Sequence, residues 1–130
     1  MTKAPFPRLC ALAFFASASF LLGSCASAPV VIPADLSSDA LVQRGQEAAD
    51  ASNWELAVRY YQALAANWGS DPAKLLVSEY EIAFIRYKQG NSEEARKGFV
   101  AVLARYQAPD AASLPPRYKV LAGKILASLK

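Results

Sequence analysis

The sequence contains no histidine. That removes Ser-His-Asp triads, imidazole acid–base chemistry and histidine metal sites. There are two cysteines, Cys10 and Cys25, too few for a disulfide scaffold or a four-cysteine zinc site. No glycine-rich phosphate loop is present: neither a GxGxxG nor a P-loop pattern surrounds the mid-helix Gly45. Charged residues make up 19% of the chain, and apart from the Arg96-Lys97 pair beside Glu93 and Glu94 no basic cluster occurs, so no nucleic-acid footprint exists. What remains is a 130-residue chain that is 54% hydrophobic. It is too apolar for disorder and the right length for one domain.

The N-terminus carries an address. Lys3 and Arg8 form a short basic region, and residues 9–22 (LCALAFFASASFLL) form an apolar run shorter than the ~20 residues of a spanning helix. Leu22-Gly23-Ser24-Cys25 follows at once. This resembles the lipobox of bacterial lipoproteins, an aliphatic residue and two small ones before a cysteine. The resemblance implies that residues 1–24 are a signal peptide, that Cys25 is the lipidation site, and that cleavage precedes it. The implied location is the bacterial envelope, anchored to a membrane, with the periplasmic face of the outer membrane favoured because Ala26, not aspartate, follows the cysteine. Loss of Lys3 and Arg8 would leave the mature chain close to neutral.

Residues 25–37 include Pro29 and Pro33, which forbid a continuous helix, so this stretch reads as a flexible tether. The Val30-Val31-Ile32 run offers an alternative, docking on the domain or the bilayer.

Beyond residue 38 the chain matches itself at an offset of 38 residues: Gly45 with Ala83, Asn53 with Asn91, Glu55 with Glu93, Ala57 with Ala95, Arg59 with Lys97, Tyr61 with Phe99 and Trp68 with Tyr106. Helix punctuation agrees. Ser52 to Glu55 reads as a capping box with Ser52 at the N-cap, Asn91 caps a later helix, and Asp71-Pro72 is a cap followed by proline in the first turn. Gly69 and Gly90 suit left-handed C-terminal positions, and Pro115-Pro116 opens a last helix. These signals, with apolar residues at helical spacing and no alternating strand pattern, predict an all-α fold. Five antiparallel helices are expected, at about 38–50, 54–68, 72–89, 92–107 and 116–129.

The pattern resembles the tetratricopeptide (TPR) repeat. Gly45 and Ala83 stand at that family's small mid-helix position; Ser52-Asn53-Trp54 and Gly90-Asn91-Ser92 stand at its turn. Ala57, Tyr61 and Leu64, and again Ala95, Phe99 and Val102, stand along its second helix. Arg44, Glu79 and Ser92 depart from it, and the period exceeds the family's usual ~34 residues. The likeness is nearest to periplasmic TPR lipoproteins of outer-membrane assembly. It implies a helical domain over 38–130, with helix pairs at about 38–71 and 76–109 and a capping helix at about 115–130.

The resemblance also implies a concave groove lined by the first helix of each pair: Val42, Gln46 and Ala49, then Tyr80, Phe84, Tyr87 and Lys88. Tyr80, Phe84 and Tyr87 share one helix face. Exposed, they form an aromatic strip for a peptide or helix; packed under the last helix, with Tyr118 joining them, they belong to the core. Trp54, Tyr61 and Phe99 read as core. Glu79 and Glu81, two apart, do not face one another and make a poor catalytic pair. Glu93 and Glu94 suit the helix dipole, Asp50 and Glu55 are turn and cap residues, and Ser113 lacks a base. The expected function is therefore binding of an envelope protein or peptide, with no cofactor, metal or enzymatic activity. Two pairs are fewer than the three repeats that solenoids normally need, so a larger complex or homo-oligomer would cover the open apolar edge. A spacer scaffold without a specific groove is the alternative.

Overall fold

The computed structural model describes residues 30–129. The signal segment, the lipidation site Cys25 and the first part of the tether lie outside the described residues. The rest is all-α: α1 (Ser38–Asp50), α2 (Trp54–Trp68), α3 (Pro72–Lys88), α4 (Ser92–Arg105) and α5 (Pro116–Ser128), with a 3-10 turn at Ala111–Ser113 before α5. Short turns return α2, α3 and α4 each against its predecessor. Packing is mainly between sequence neighbours, α1 on α2, α2 on α3, α3 on α4 and α4 on α5, with α5 also reaching α3. The result is two helix pairs in a row, closed at one end by α5.

The turns repeat atom for atom. After α1, the Ser52 amide donates to the Ala49 carbonyl and the Asn53 amide to the Ala48 carbonyl; after α3, Gly90 donates to Tyr87 and Asn91 to Arg86. This pattern, in which the residue just past the helix lies in the left-handed region, ties off the last carbonyls. Gly90 has φ +79° and Ser52 has φ +57°. Ser52 is therefore a helix terminator, not the N-cap expected from the sequence. The cap is Asn53, whose side chain accepts from the Leu56 amide at 3.3 Å. Asp71 caps α3 as expected, accepting from Ala73 and Lys74. Asn91 stands at the cap of α4 without a side-chain bond. Gly69 ends α2 in a right-handed conformation, φ −67°. Its glycine answers a close approach, not a left turn: a Cβ would sit 2.3 Å from the Ala65 carbonyl oxygen.

Two buried clusters form the core. The first joins Leu41 and Ala48 of α1 to Ala57, Tyr60, Tyr61 and Leu64 of α2, with Ile85 of α3. The second gathers Leu76, Tyr80 and Ala83 of α3 with Phe99 and Val102 of α4 and Tyr118 and Ala122 of α5. Helix α3 belongs to both, and Val77 packs against each. The buried Ser78 hydroxyl donates to the Tyr61 carbonyl at 2.7 Å and ties the pairs together. On the outer side of the second pair, Arg105 grips Glu79 through both carboxylate oxygens.

The small mid-helix residues permit close packing, by different means in each pair. A Cβ on Gly45 would lie 2.7 Å from Cζ of Tyr61, so the phenol ring crosses where α1 has no side chain. In the second pair Ala83 keeps its methyl because Gly98 opposes it; a Cβ there would stand 2.6 Å from that of Ala83.

Residues 30–37 lie against the first pair. Ile32 and Leu36 pack on its cluster, Arg59 donates to the Val30 carbonyl at 2.5 Å, and Asn67 donates to that of Ala34 at 3.5 Å. The second half of the stretch read as a tether therefore runs along α2, the docking alternative raised by its apolar run.

Candidate functional site

Helices α1 and α3 flank a cleft of about 390 Å³, lined by Gln46, Ala49 and Asp50 of α1, Trp54 and Tyr61 of α2, and Glu81, Phe84, Ile85 and Lys88 of α3. A second cleft of about 270 Å³ shares Gln46 with it and continues past Val42 and Val77 to Arg117 and Tyr118 of α5. Of the residues expected along a groove, Val42, Gln46, Ala49, Phe84 and Lys88 line these two hollows.

The aromatic strip is divided by depth. Tyr80 is 6% exposed and wedged between Phe99 (ring centroids 5.7 Å apart) and Tyr118 (4.7 Å). It is covered by α5 and offers no docking surface. Phe84 stacks on Tyr80 at 6.1 Å and is half-buried, at the cleft wall. Tyr87 continues the ladder at 6.1 Å from Phe84 and is exposed at its outer end. Burial pushes the Tyr80 hydroxyl up to about 12, assisted by the nearby Glu81 and Tyr118.

Two polar side chains, Tyr61 and Glu81, are among those lining the larger cleft. Tyr61 is 1% exposed, and its hydroxyl has no hydrogen-bond partner among the described residues. Its ring passes under Gly45 to reach the cleft. Burial, then the fields of Glu81, Tyr118 and Asp50, hold the phenol in its neutral form. Glu81 is half-buried on α3, and no ion pair among the described residues engages it. Burial raises its carboxyl pKa, and the Arg117 guanidinium pulls the other way. That guanidinium is itself occupied, donating to Tyr118 Oη at 2.9 Å and lying 4.7 Å from the ring centroid.

The structure separates Glu79 and Glu81, as their spacing of two predicts: Glu79 binds Arg105 on the α4 side, while Glu81 lines the cleft beside α1. The signal that places Glu81 in the cleft was present. Glu81, Phe84 and Lys88 recur at spacings of three and four, one helix face. Tyr61 is core, as its repeat position implies, and its buried hydroxyl lies beneath the lining of the cleft. Among the described residues, no group of three Asp, Glu or Cys side chains is placed to hold a metal, and no helix is long and apolar enough to cross a membrane.

No family model and no solved structure matches the chain. An uncharacterized protein of Treponema pallidum (strain Nichols) is 33% identical to it over 101 residues, 76% of this chain and 40% of the relative. The chain thus spans less than half the length of that relative.

Proposed function

We propose that this protein is an envelope lipoprotein, anchored through Cys25, whose TPR-like helix pairs bind a segment of another envelope protein in the cleft between α1 and α3. The observation that carries the reading is the cleft itself. Two helices from different pairs present Gln46, Ala49, Phe84 and Lys88 to one hollow, which is also lined by Tyr61 and Glu81, whose hydroxyl and carboxylate have no hydrogen-bond or ion-pair partner, respectively, among the described residues. Hollows with apolar walls and a few convergent polar groups are the usual form of binding sites. The smaller hollow beside α5 shares Gln46 with it. Burial of Tyr80 under α5 favours the spacer reading to the extent that the strip is shortened, but the hollow does not depend on Tyr80.

The test is selection of a random 12-residue peptide library on the full-length chain. Peptides should be retained by the wild type and lost when the cleft is filled by Ala49→Trp, while Ala101→Trp on the α4 surface leaves retention intact. Equal retention by all three proteins, or none by the wild type, overturns the reading. The anchor is tested separately: Cys25→Ala should leave the precursor uncut at this site and release the chain from membranes, and continued membrane retention would count against it.

A further inference from the structure

We infer that the cleft accepts a basic side chain, an arginine or lysine projecting from the bound segment, and that Glu81 and Tyr61 are its recognising pair. The inference rests on the reading of the cleft as a peptide site and names what that site selects. Among the residues lining the larger cleft, two are acidic, Asp50 and Glu81, and one is basic, Lys88. Lys88 is exposed, and it lies seven residues beyond Glu81, two helical turns or about 10 Å along α3. It forms no ion pair with Glu81. Arg117 is held by Tyr118 at the neighbouring cleft. The half-buried carboxylate therefore carries a desolvation cost that no charged side chain among the described residues offsets with a direct contact.

Tyr61 is the second, independent sign. A phenol that is 99% buried and has no hydrogen-bond partner among the described residues is an anomaly in a well-packed domain. Kept neutral by its surroundings, its oxygen retains a lone pair. A guanidinium or ammonium entering the cleft satisfies both groups at once, donating to the Glu81 carboxylate and to the Tyr61 oxygen. Its aliphatic stem then lies along Phe84 and Ile85, and the guanidinium plane suits an aromatic wall. An acidic side chain would meet Asp50 and Glu81 with no cation at the floor. A purely apolar one would leave the carboxylate and the hydroxyl buried and unmet.

The experiment extends the library selection to Glu81→Gln, Glu81→Lys and Tyr61→Phe, each full length and each checked for native helix content. Wild-type pools should be enriched in arginine or lysine at one position. Glu81→Gln should lose that enrichment and bind the recovered peptides at least tenfold more weakly; Tyr61→Phe should weaken them several-fold. Glu81→Lys should select aspartate or glutamate instead. Should Glu81→Lys not fold, Glu81→Gln, which removes a buried charge without adding volume, decides the matter. Wild-type pools without a basic preference, or tight binding that survives Glu81→Gln, overturn the inference while the peptide-site reading stands. No retention by the wild type overturns both.

Discussion

Ser52 and Gly90 adopt the same left-handed backbone at corresponding points of the two turns, but only one of them is built for it. A side chain in that region costs about 1–2 kcal/mol, and glycine returns part of the difference through its larger unfolded-state entropy. Ser52→Gly should therefore stabilise the domain by about 0.5–1 kcal/mol, and Gly90→Ala should destabilise it by about 1 kcal/mol, both read from urea unfolding midpoints. The serine also explains a misreading. Followed three residues later by Glu55, Ser52 satisfies the capping-box pattern, and only the hydrogen bonds of the finished turn show that Asn53 is the cap. The 38-residue offset already placed Ser52 opposite Gly90, and that correspondence was the better guide. Glu81 was obscured for a similar reason. Neighbours in sequence drew attention to Glu79, whereas the relevant partners are a helix-face away at Phe84 and Lys88.

At the scale of the elements the sequence was most legible. Prolines at 72 and 116, the Asp71 and Asn91 caps and the left-handed Gly90 bound the helices to within two residues of the observed ends. These signals are local and need no tertiary information. Whether Tyr80 belonged to the surface or the core was not local. It depends on where α5 crosses α3, which is set by the path through Ala111–Ser113 and by the Tyr106 hydroxyl bonding the Pro115 carbonyl at 2.6 Å. With α5 seated, Tyr118 becomes the lid over Tyr80. Tyr118→Ala should cost about 3 kcal/mol, in the range of buried aromatic truncations. Hydrogen exchange should show the largest loss of protection in the amides of α5.

The whole molecule is a short row of helices with a shared middle. Because α3 contributes to both clusters and Ser78 bonds across to Tyr61, the pairs should unfold together despite their repeat-like arrangement. The free edge of the first pair is dressed by residues 30–37, whose Ile32 and Leu36 rest on the first cluster. Replacing both by alanine should lower stability by about 2 kcal/mol and open this stretch to proteases, seen as accelerated cleavage before residue 38. The docking was only half visible beforehand: the prolines announced an extended backbone, but not the Arg59 and Asn67 donors waiting along α2.

That strap has a consequence for reach. Five peptide steps separate Cys25 from the carbonyl that Arg59 grips, and at full stretch they span no more than about 18 Å. With fatty chains at Cys25, the array would ride close against the headgroups as a moored vessel does against a quay.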